Sequence, residues 1–345
     1  MWVRPLSLSA AEPVKGEGDQ AEAHVRALVG QVEAGLVALA LPDAPEPLYA
    51  PVRYVLESGG KRLRPVLLLL GAEAYGGESA LKRAMPAALA VEVFHAFTLV
   101  HDDIMDHAAE RRGRPTVHVR WDEPTAILVG DLLMALAYDL LAKVETDHLR
   151  EVLRSFHQMV LRLCEGQALD KAFEQRTDVS VPDYLDMIER KTGALVEAAL
   201  EIGGWVGGAD AAGRAALRRF GQALGRAFQI QDDLLDLTAE DAGWGKTVGG
   251  DLVEGKKTFL LLRALERSAG EEHTWFARIP SAGGLPAEEV PEARVRMEGL
   301  GVLAEARDTV RAQSNEALAA LAVLPPSSAR EALGWLTRQL VGRAR

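Results

Sequence analysis

The chain has 345 residues, 48% hydrophobic and 26% charged, with a formal net charge of -11. That length gives one large domain or two ordinary ones with a sizeable core, and the acidic balance excludes a general nucleic-acid binder. A single cysteine, Cys164, excludes an intrachain disulfide and fits a reducing, cytoplasmic setting.

Residues 1–20 read as a mobile N-terminal tail, since MWVRPLSLSAAEPVKGEGDQ has no continuous apolar run and makes no convincing signal peptide. No shift of composition marks a boundary after it, so 21–345 reads as one all-helical domain. LESGGKRLRPVLLLL sets Lys61, Arg62 and Arg64 between the Gly59–Gly60 pair and an apolar run, with Pro65 suited to the first turn of a helix. Cations gain nothing from the dipole at a helix start, so an anion is the better explanation than an ordinary basic loop. PAALAVEVFHAFTLV is the next helix, broken by Glu92 and His95. Such interruptions argue against a transmembrane helix here or elsewhere.

DDIMD follows at 102–106, and the acids Asp102, Asp103 and Asp106 are succeeded by Arg111, Arg112 and Arg114 in ERRGRPTVH. TAILVGDLLMALAYDLLAKV and HLREVLRSFHQMVLRLCEGQAL then repeat apolar residues at helical spacing. ERKTGALVE supplies Lys191 and Thr192. In RAALRRFGQALGRAFQIQDDLLDL, Leu217, Phe220, Leu224 and Phe228 line one helical face, and Gln229 precedes the acids Asp232, Asp233 and Asp236. WGKTVGGDLVEGKKTF adds Lys246, Lys256 and Lys257; it lacks the GxxxxGK[ST] spacing, which excludes a Walker-type nucleotide loop. The segment from Gly270 to Pro291 is the least regular and reads as a surface excursion.

One DDxxD is as readily a solvated helix face as a site. Two copies, each preceded by apolar sequence (TLV and AFQI), make the solvated face a poor explanation. In each copy the first and last acids are four apart and share a helical face. Carboxylates so close repel one another, and hard oxygen donors of this kind suit magnesium, which binds through one or two carboxylates plus phosphate oxygens. His95 lies seven residues before Asp102, and Gln229 three before Asp232, on nearly the same faces. The acids want a cation and the arginines an anion; a diphosphate arriving with magnesium answers both. Bound metal would also reconcile an acidic protein with an anionic ligand.

GGKRLRP, HAFTLVHDDIMD, RRGRPT, GQALD, KTG, FQIQDDLLD and GKTVGGDLVEGKKT stand in the order found in trans-isoprenyl diphosphate synthases, the polyprenyl synthetases, which the chain resembles across roughly residues 50–265. The resemblance implies the isoprenoid synthase fold, a single all-α bundle of long helices around a deep central cavity, in a homodimer. It implies magnesium-dependent, head-to-tail condensation of an allylic diphosphate with isopentenyl diphosphate. It assigns Asp102, Asp106 and Asp232, supported by Asp103, Asp233 and Asp236, to three magnesium ions. Arg111, Lys191 and Lys256 would hold the allylic diphosphate with Lys246 nearby, and Lys61, Arg64, His95 and Arg112 the isopentenyl diphosphate. Thr192 and Gln229 would lie near the developing cation, with Gln167 and Asp170 as supports. One departure is KKTFLLLRAL, where the family often has a proline shortly after its GKxT.

In such enzymes the residues just before the first acid motif floor the tail pocket. Phe97 lies about 7.5 Å along the helix from Asp102, Phe94 about a turn further, and Thr98 leaves room beside them. This pattern favours geranylgeranyl diphosphate as product, with farnesyl diphosphate as the alternative. A terpene cyclase would leave Lys61, Arg64 and His95 without purpose. A non-catalytic subunit would be expected to have lost acids or lysines, and both motifs are complete.

Overall fold

The computed structural model describes residues 17–239 and 248–341. Its helices are α1 (Glu17–Val37), α2 (Glu46–Leu56), α3 (Leu63–Gly76), α4 (Glu78–Met105), α5 (Val117–Arg120), α6 (Glu123–Ala142), α7 (Leu149–Gln175) and α8 (Val181–Ile188). They continue as α9 (Ala194–Gly207), α10 (Ala211–Thr238), α11 (Gly250–Val253), α12 (Phe259–Arg267), α13 (Gly270–Ser281), α14 (Val290–Gly299), α15 (Val302–Ala320) and α16 (Ser328–Val341). A π-helical turn, Glu189–Gly193, joins α8 to α9 without a break. The only strands among the described residues are β1 (Glu110–Arg111) and β2 (Arg114–Pro115), an antiparallel pair between α4 and α5. The chain is all-α, as its periodicity predicts.

Local chemistry sets several of the helix starts. Asp122 caps α6 by accepting the Thr125 N–H, Asp210 caps α10 by accepting that of Gly213, and Ser180 and Asp183 form a reciprocal capping box on α8. The helix α1 starts at Glu17, inside the expected tail of residues 1–20, of which residues 1–16 lie outside the described residues. Ala21, Val25, Leu28, Val32 and Leu36 bury one stripe of α1, and propagation carries the helix back over polar residues that alone read as loop.

Two apolar clusters make the core, and α10 belongs to both. Leu217, Phe220 and Leu224 sit in the larger cluster with α1, α3, α4, α6, α9 and α16, while Ile230, Leu234 and Leu237 sit in the smaller one with α8 and α12–α15. Helices α3 and α9 approach backbone to backbone: a methyl group on Gly203 would lie 2.2 Å from the Leu68 carbonyl oxygen. The expectation that Gly270–Pro291 is an irregular excursion is wrong. Most of it is α13, whose Phe276 and Ile279 are fully buried in the smaller cluster. The polar run GEEHT faces outward and hid that apolar pair, while Gly270 and Pro280 mark the ends of the helix rather than a loop.

By length and composition alone α4 and α6 are apolar enough to cross a membrane, a test that a buried core helix passes equally well. Most of that stretch in α4 is core. Helix α6 buries Ala126, Val129, Leu133, Ala137 and Leu140 on one stripe and exposes Ile127 and Leu128 on another.

Candidate active site

The first acid motif occupies the last turn of α4. Asp106 ends the helix, its N–H donating to the Asp102 carbonyl at 2.9 Å, so the two carboxylates stand one turn apart. Burial raises the pKa of Asp102, and Asp106 and Asp170 add to the rise; Lys191 and Arg111 oppose it. Asp103 points elsewhere. It is buried and receives Arg111 Nε at 2.7 Å, tying the motif to the β1–β2 hairpin. Burial raises its pKa too, against the pull of Arg111.

Around His95 the hairpin meets the GGKRLRP loop. Arg64 Nη1 lies 3.1 Å from His95 Nε2, and arginine only donates, so Nε2 accepts and the proton sits on Nδ1. Thr98 Oγ1 lies 3.4 Å from that Nδ1 and donates to the His95 carbonyl at 2.9 Å, which fixes the tautomer. Burial holds the His95 pKa well below its ordinary value, and Arg64, Arg112, Arg111 and Arg62 deepen the effect. Four guanidinium groups facing one neutral imidazole make an anion pocket. Two of them are paired with acids, Arg111 with Asp103 and Arg62 with Glu92; Arg62 is buried, its Nη1 bonds Glu92 at 2.7 Å, and its Nη2 bonds the Ser58 carbonyl at 3.0 Å. It holds the loop to α4. Arg112 donates to the Gly59 carbonyl, and a methyl group on Gly60 would lie 2.9 Å from that guanidinium. Arg62 and Arg112 have φ of 47° and 55°, a strained backbone region for any side chain. Lys61 is exposed beside them.

Lys191 and Thr192 lie on the π-helical turn, a distortion that re-aims side chains within a helix. The turn is wedged between neighbours: a methyl group on Gly166 of α7 would lie 2.3 Å from the Lys191 nitrogen, and one on Gly225 of α10 would lie 3.2 Å from Gly193 Cα. Lys191 Nζ meets Asp170 of α7 at 2.5 Å. Glu189 at the head of the turn accepts Arg162 and Arg226, from α7 and α10. Gln167 and Lys171 of α7 reach Met105 at the end of α4, and Lys257 donates to the Phe173 carbonyl at 2.6 Å, capping α7.

The second motif, on α10, divides its labour. Asp233 is buried and accepts the Tyr184 hydroxyl, Gln229 Nε2 at 3.2 Å and the Phe259 N–H at 3.2 Å. Burial and the charge of Asp251 push its pKa up to about 7 against those three donors. Asp236 accepts the Asp251 N–H at 3.1 Å, and its own carbonyl receives Gly249 at 2.6 Å, which anchors α11. Both carboxylates therefore brace the site, Asp233 tying α10 to α8 and α12 and Asp236 tying it to α11. Gln229 is likewise turned toward Asp233. Asp232 is the partly exposed acid of the three.

The two motifs share neighbours. Lys191, which lowers the pKa of Asp102, is bonded to Asp170, whose charge in turn acts on Tyr184, the donor to Asp233. Burial opposes the charge of Lys256, but Glu254, Asp251 and Asp106 outweigh it and leave its pKa raised, so a lysine that follows the second motif feels an acid of the first. Lys246 lies outside the described residues.

Among the described residues no three His, Cys, Asp or Glu side chains converge on one point as a ready-made metal cage. Magnesium does not need one, since it keeps its waters and binds through one or two carboxylates plus phosphate oxygens. Asp102 and Asp106, one turn apart with Lys191 and Lys256 in electrostatic reach, fit a metal carried in by an anion.

Of the chain-length candidates, Phe94 is fully buried against Phe156 at 5.1 Å between ring centres, and Phe97 packs between Phe94 and His101 at 5.2 and 4.8 Å. The sequence reading missed Glu92 as the partner of Arg62, Tyr184 as the partner of Asp233, and Gly166. Glu92 was visible as a lone acid in an apolar helix. Gly166 was visible as the first residue of GQALD, but only Gln167 and Asp170 of that motif were given a role; nothing in the sequence marked Tyr184.

Residues 45–293 match the model of the polyprenyl synthetase family. The chain is 45% identical over 238 residues to a geranylgeranyl diphosphate synthase of Methanosarcina mazei, covering 68% of this chain and 73% of that one. A geranylgeranyl pyrophosphate synthetase from Pyrococcus horikoshii superposes with a TM-score of 0.88 at 36% identity, covering 94% of this chain and 99% of that one. A polyprenyl synthase from Caulobacter crescentus, solved with calcium and isoprenyl diphosphate, superposes at 0.85 with 31% identity, covering 97% of this chain and 100% of that one.

Proposed function

The chain belongs to the polyprenyl synthetase family and is a prenyltransferase; on that premise we propose that it extends an allylic diphosphate with isopentenyl diphosphate, head to tail, to geranylgeranyl diphosphate. One observation carries the reading. Two sets of cationic side chains act along the last turns of α4: Arg64 and Arg112 on His95, with Arg64 3.1 Å from its ring, and Lys191 and Lys256 on Asp102 and Asp106. Two anion sites along one helix suit a reaction between two diphosphates. A cyclase, with one diphosphate, has no use for the first set.

Asp102, Asp106 and Asp232 would hold magnesium, three ions in all, carried with the allylic diphosphate; the Caulobacter relative with a divalent cation and an isoprenyl diphosphate supports this. When bound, the ions draw charge from the departing diphosphate. Lys191, Lys256 and Arg111 hold that leaving group and stabilise the charge it gains as the allylic C–O bond breaks. Lys61, Arg64 and Arg112 fix the second diphosphate, and neutral His95 adds a polar contact without adding or removing charge. The double bond of isopentenyl diphosphate attacks the allylic cation, and loss of a proton to the released diphosphate completes the turnover. Thr192, at the π-helical turn, and Gln229 stand near that cation. Apolar walls keep water from quenching it.

Phe97, wedged between Phe94 and His101, is the side chain we assign to the floor of the tail pocket, which supports a short product. We also propose a cytoplasmic homodimer. Exposed Ile127 and Leu128 on α6 and Leu161 on α7 are apolar surface that a second copy would cover, and sedimentation at the single-chain mass would count against it. The experiment for the reaction is diphosphate release from farnesyl diphosphate with and without isopentenyl diphosphate. Release that requires isopentenyl diphosphate supports condensation, and equal release without it supports a cyclase.

A further inference from the structure

The β1–β2 hairpin that carries Arg111 and Arg112 cannot hold its own position. Each strand has two residues, and both turn residues, Arg112 and Gly113, have positive φ, 55° and 71°. Such a turn matches the twist of a hairpin but suits glycine or asparagine, not arginine. The register also sets Arg111 directly opposite Arg114, where like charges repel. Arg111 is answered by Asp103 at 2.7 Å. Among the described residues Arg114 pairs with no carboxylate; its guanidinium lies over the ring of Tyr54, 3.9 Å from the centroid.

Tyr54, near the end of α2, is held by more than this contact. Its hydroxyl donates to the Pro115 carbonyl at 2.8 Å, on the strand opposite Arg111. Arg120 of α5 lies 4.3 Å from the same ring, and Trp121 meets it edge-on at 5.2 Å. A ring face attracts a guanidinium without neutralising it. Tyr54 and the two residues it holds, Arg114 and Pro115, line one cavity with His95, Arg111 and Arg112. It touches none of the groups assigned to diphosphate, and acts on them through the hairpin.

We propose that Tyr54 is a positioning residue for the isopentenyl diphosphate site: by seating Arg114 on its ring and bonding Pro115, it sets the hairpin so that Arg112 faces the diphosphate. Arg111 has its own anchor in Asp103, so the allylic side depends on Tyr54 much less. The assignment of Arg112 to isopentenyl diphosphate rests on the proposed function; the clamp itself does not.

The test uses the full-length protein with Tyr54→Phe, which keeps the ring and loses the Pro115 bond, and Tyr54→Leu, which loses both. The probes are steady-state kinetics and titration calorimetry with inorganic diphosphate in metal-free buffer. Tyr54→Leu is expected to raise the KM for isopentenyl diphosphate about tenfold, with the allylic KM and kcat within about threefold of the parent. Tyr54→Phe is expected to raise it about threefold, and both variants weaken binding of inorganic diphosphate in the same order. Unchanged affinity for inorganic diphosphate in both variants overturns the clamp, whatever reaction the enzyme performs. Equal rises in both KM values with a lowered melting temperature overturn it too, by showing a general structural role. If Tyr54→Leu does not fold, Tyr54→Phe alone decides by the same readings. A parent that binds diphosphate yet extends no prenyl chain would sink the proposed reaction and leave the clamp standing.

Discussion

Tyr184 on α8 donates its hydroxyl to Asp233 on α10, so the middle acid of DDLLD is bonded across two helices. The middle acid of the motif is therefore engaged within the protein and differs from the acids beside it. In the first copy Asp103 is likewise turned away, toward Arg111, which leaves Asp102 and Asp106 for the ligand.

This division predicts two kinds of variant. Asp102→Asn and Asp232→Asn should each lower kcat by about 10²–10³-fold with an unchanged melting temperature. Asp233→Asn should instead destabilise the fold by about 1–3 kcal/mol, because a carboxamide cannot accept from three donors. Thermal melts beside kinetics separate them. An Asp233→Asn protein as stable as the parent would contradict the bracing role.

Gly166→Ala places a methyl group 2.3 Å from the Lys191 nitrogen, where backbone must yield. The expected cost is about 1–3 kcal/mol of stability. Because the π-helical turn aims Lys191 and Thr192, kcat should fall by at least about tenfold as well. Denaturation curves and steady-state rates report the two effects. Parent-like values for both would mean that the turn tolerates displacement.

His95 makes stability sensitive to acid. Its folded-state pKa lies well below the ordinary value, from burial and then from the neighbouring arginines. Below about pH 6.5 the unfolded chain binds a proton there that the folded chain refuses. The unfolded state then holds more protons, so this contribution to stability is present above about pH 6.5 and is lost as the pH falls. Relative to His95→Gln, the parent should lose up to about 1.4 kcal/mol per pH unit between pH 6 and 5. Urea denaturation of both proteins across that range is the check, and parallel losses would show that His95 protonates freely.

The helical class, the two acid motifs and the basic residues beside His95 were all legible, because each leaves a local mark: a period, a spacing or a cation where a dipole disfavours it. What was not legible depends on contacts between segments far apart in the chain. Asp233 and Asp232 look alike until Tyr184 arrives 49 positions upstream to claim one of them. Arg62 and Arg64 look alike until Glu92 binds the first and His95 the second. The π-helical turn has no compositional signature in ERKTG; it is set by how closely Gly166 and Gly225 let α7 and α10 approach. The helix α13 was misread for a related reason, since its two buried residues count only once the smaller core exists to receive them.

Phe97→Ala should lengthen the product, since removing the ring between Phe94 and His101 opens the space assigned to the end of the tail. Chromatography of dephosphorylated products reads the change directly. An unaltered product distribution would remove Phe97 from the floor of the pocket.

The most direct measurement of the central claim, that two diphosphates meet at the end of α4, is mass analysis of what the purified protein makes from magnesium, isopentenyl diphosphate and each allylic starter in turn. The account predicts chain extension stopping at geranylgeranyl diphosphate. Failure to incorporate isopentenyl diphosphate with any starter, or conversion of the starter alone to a cyclised hydrocarbon, would contradict it.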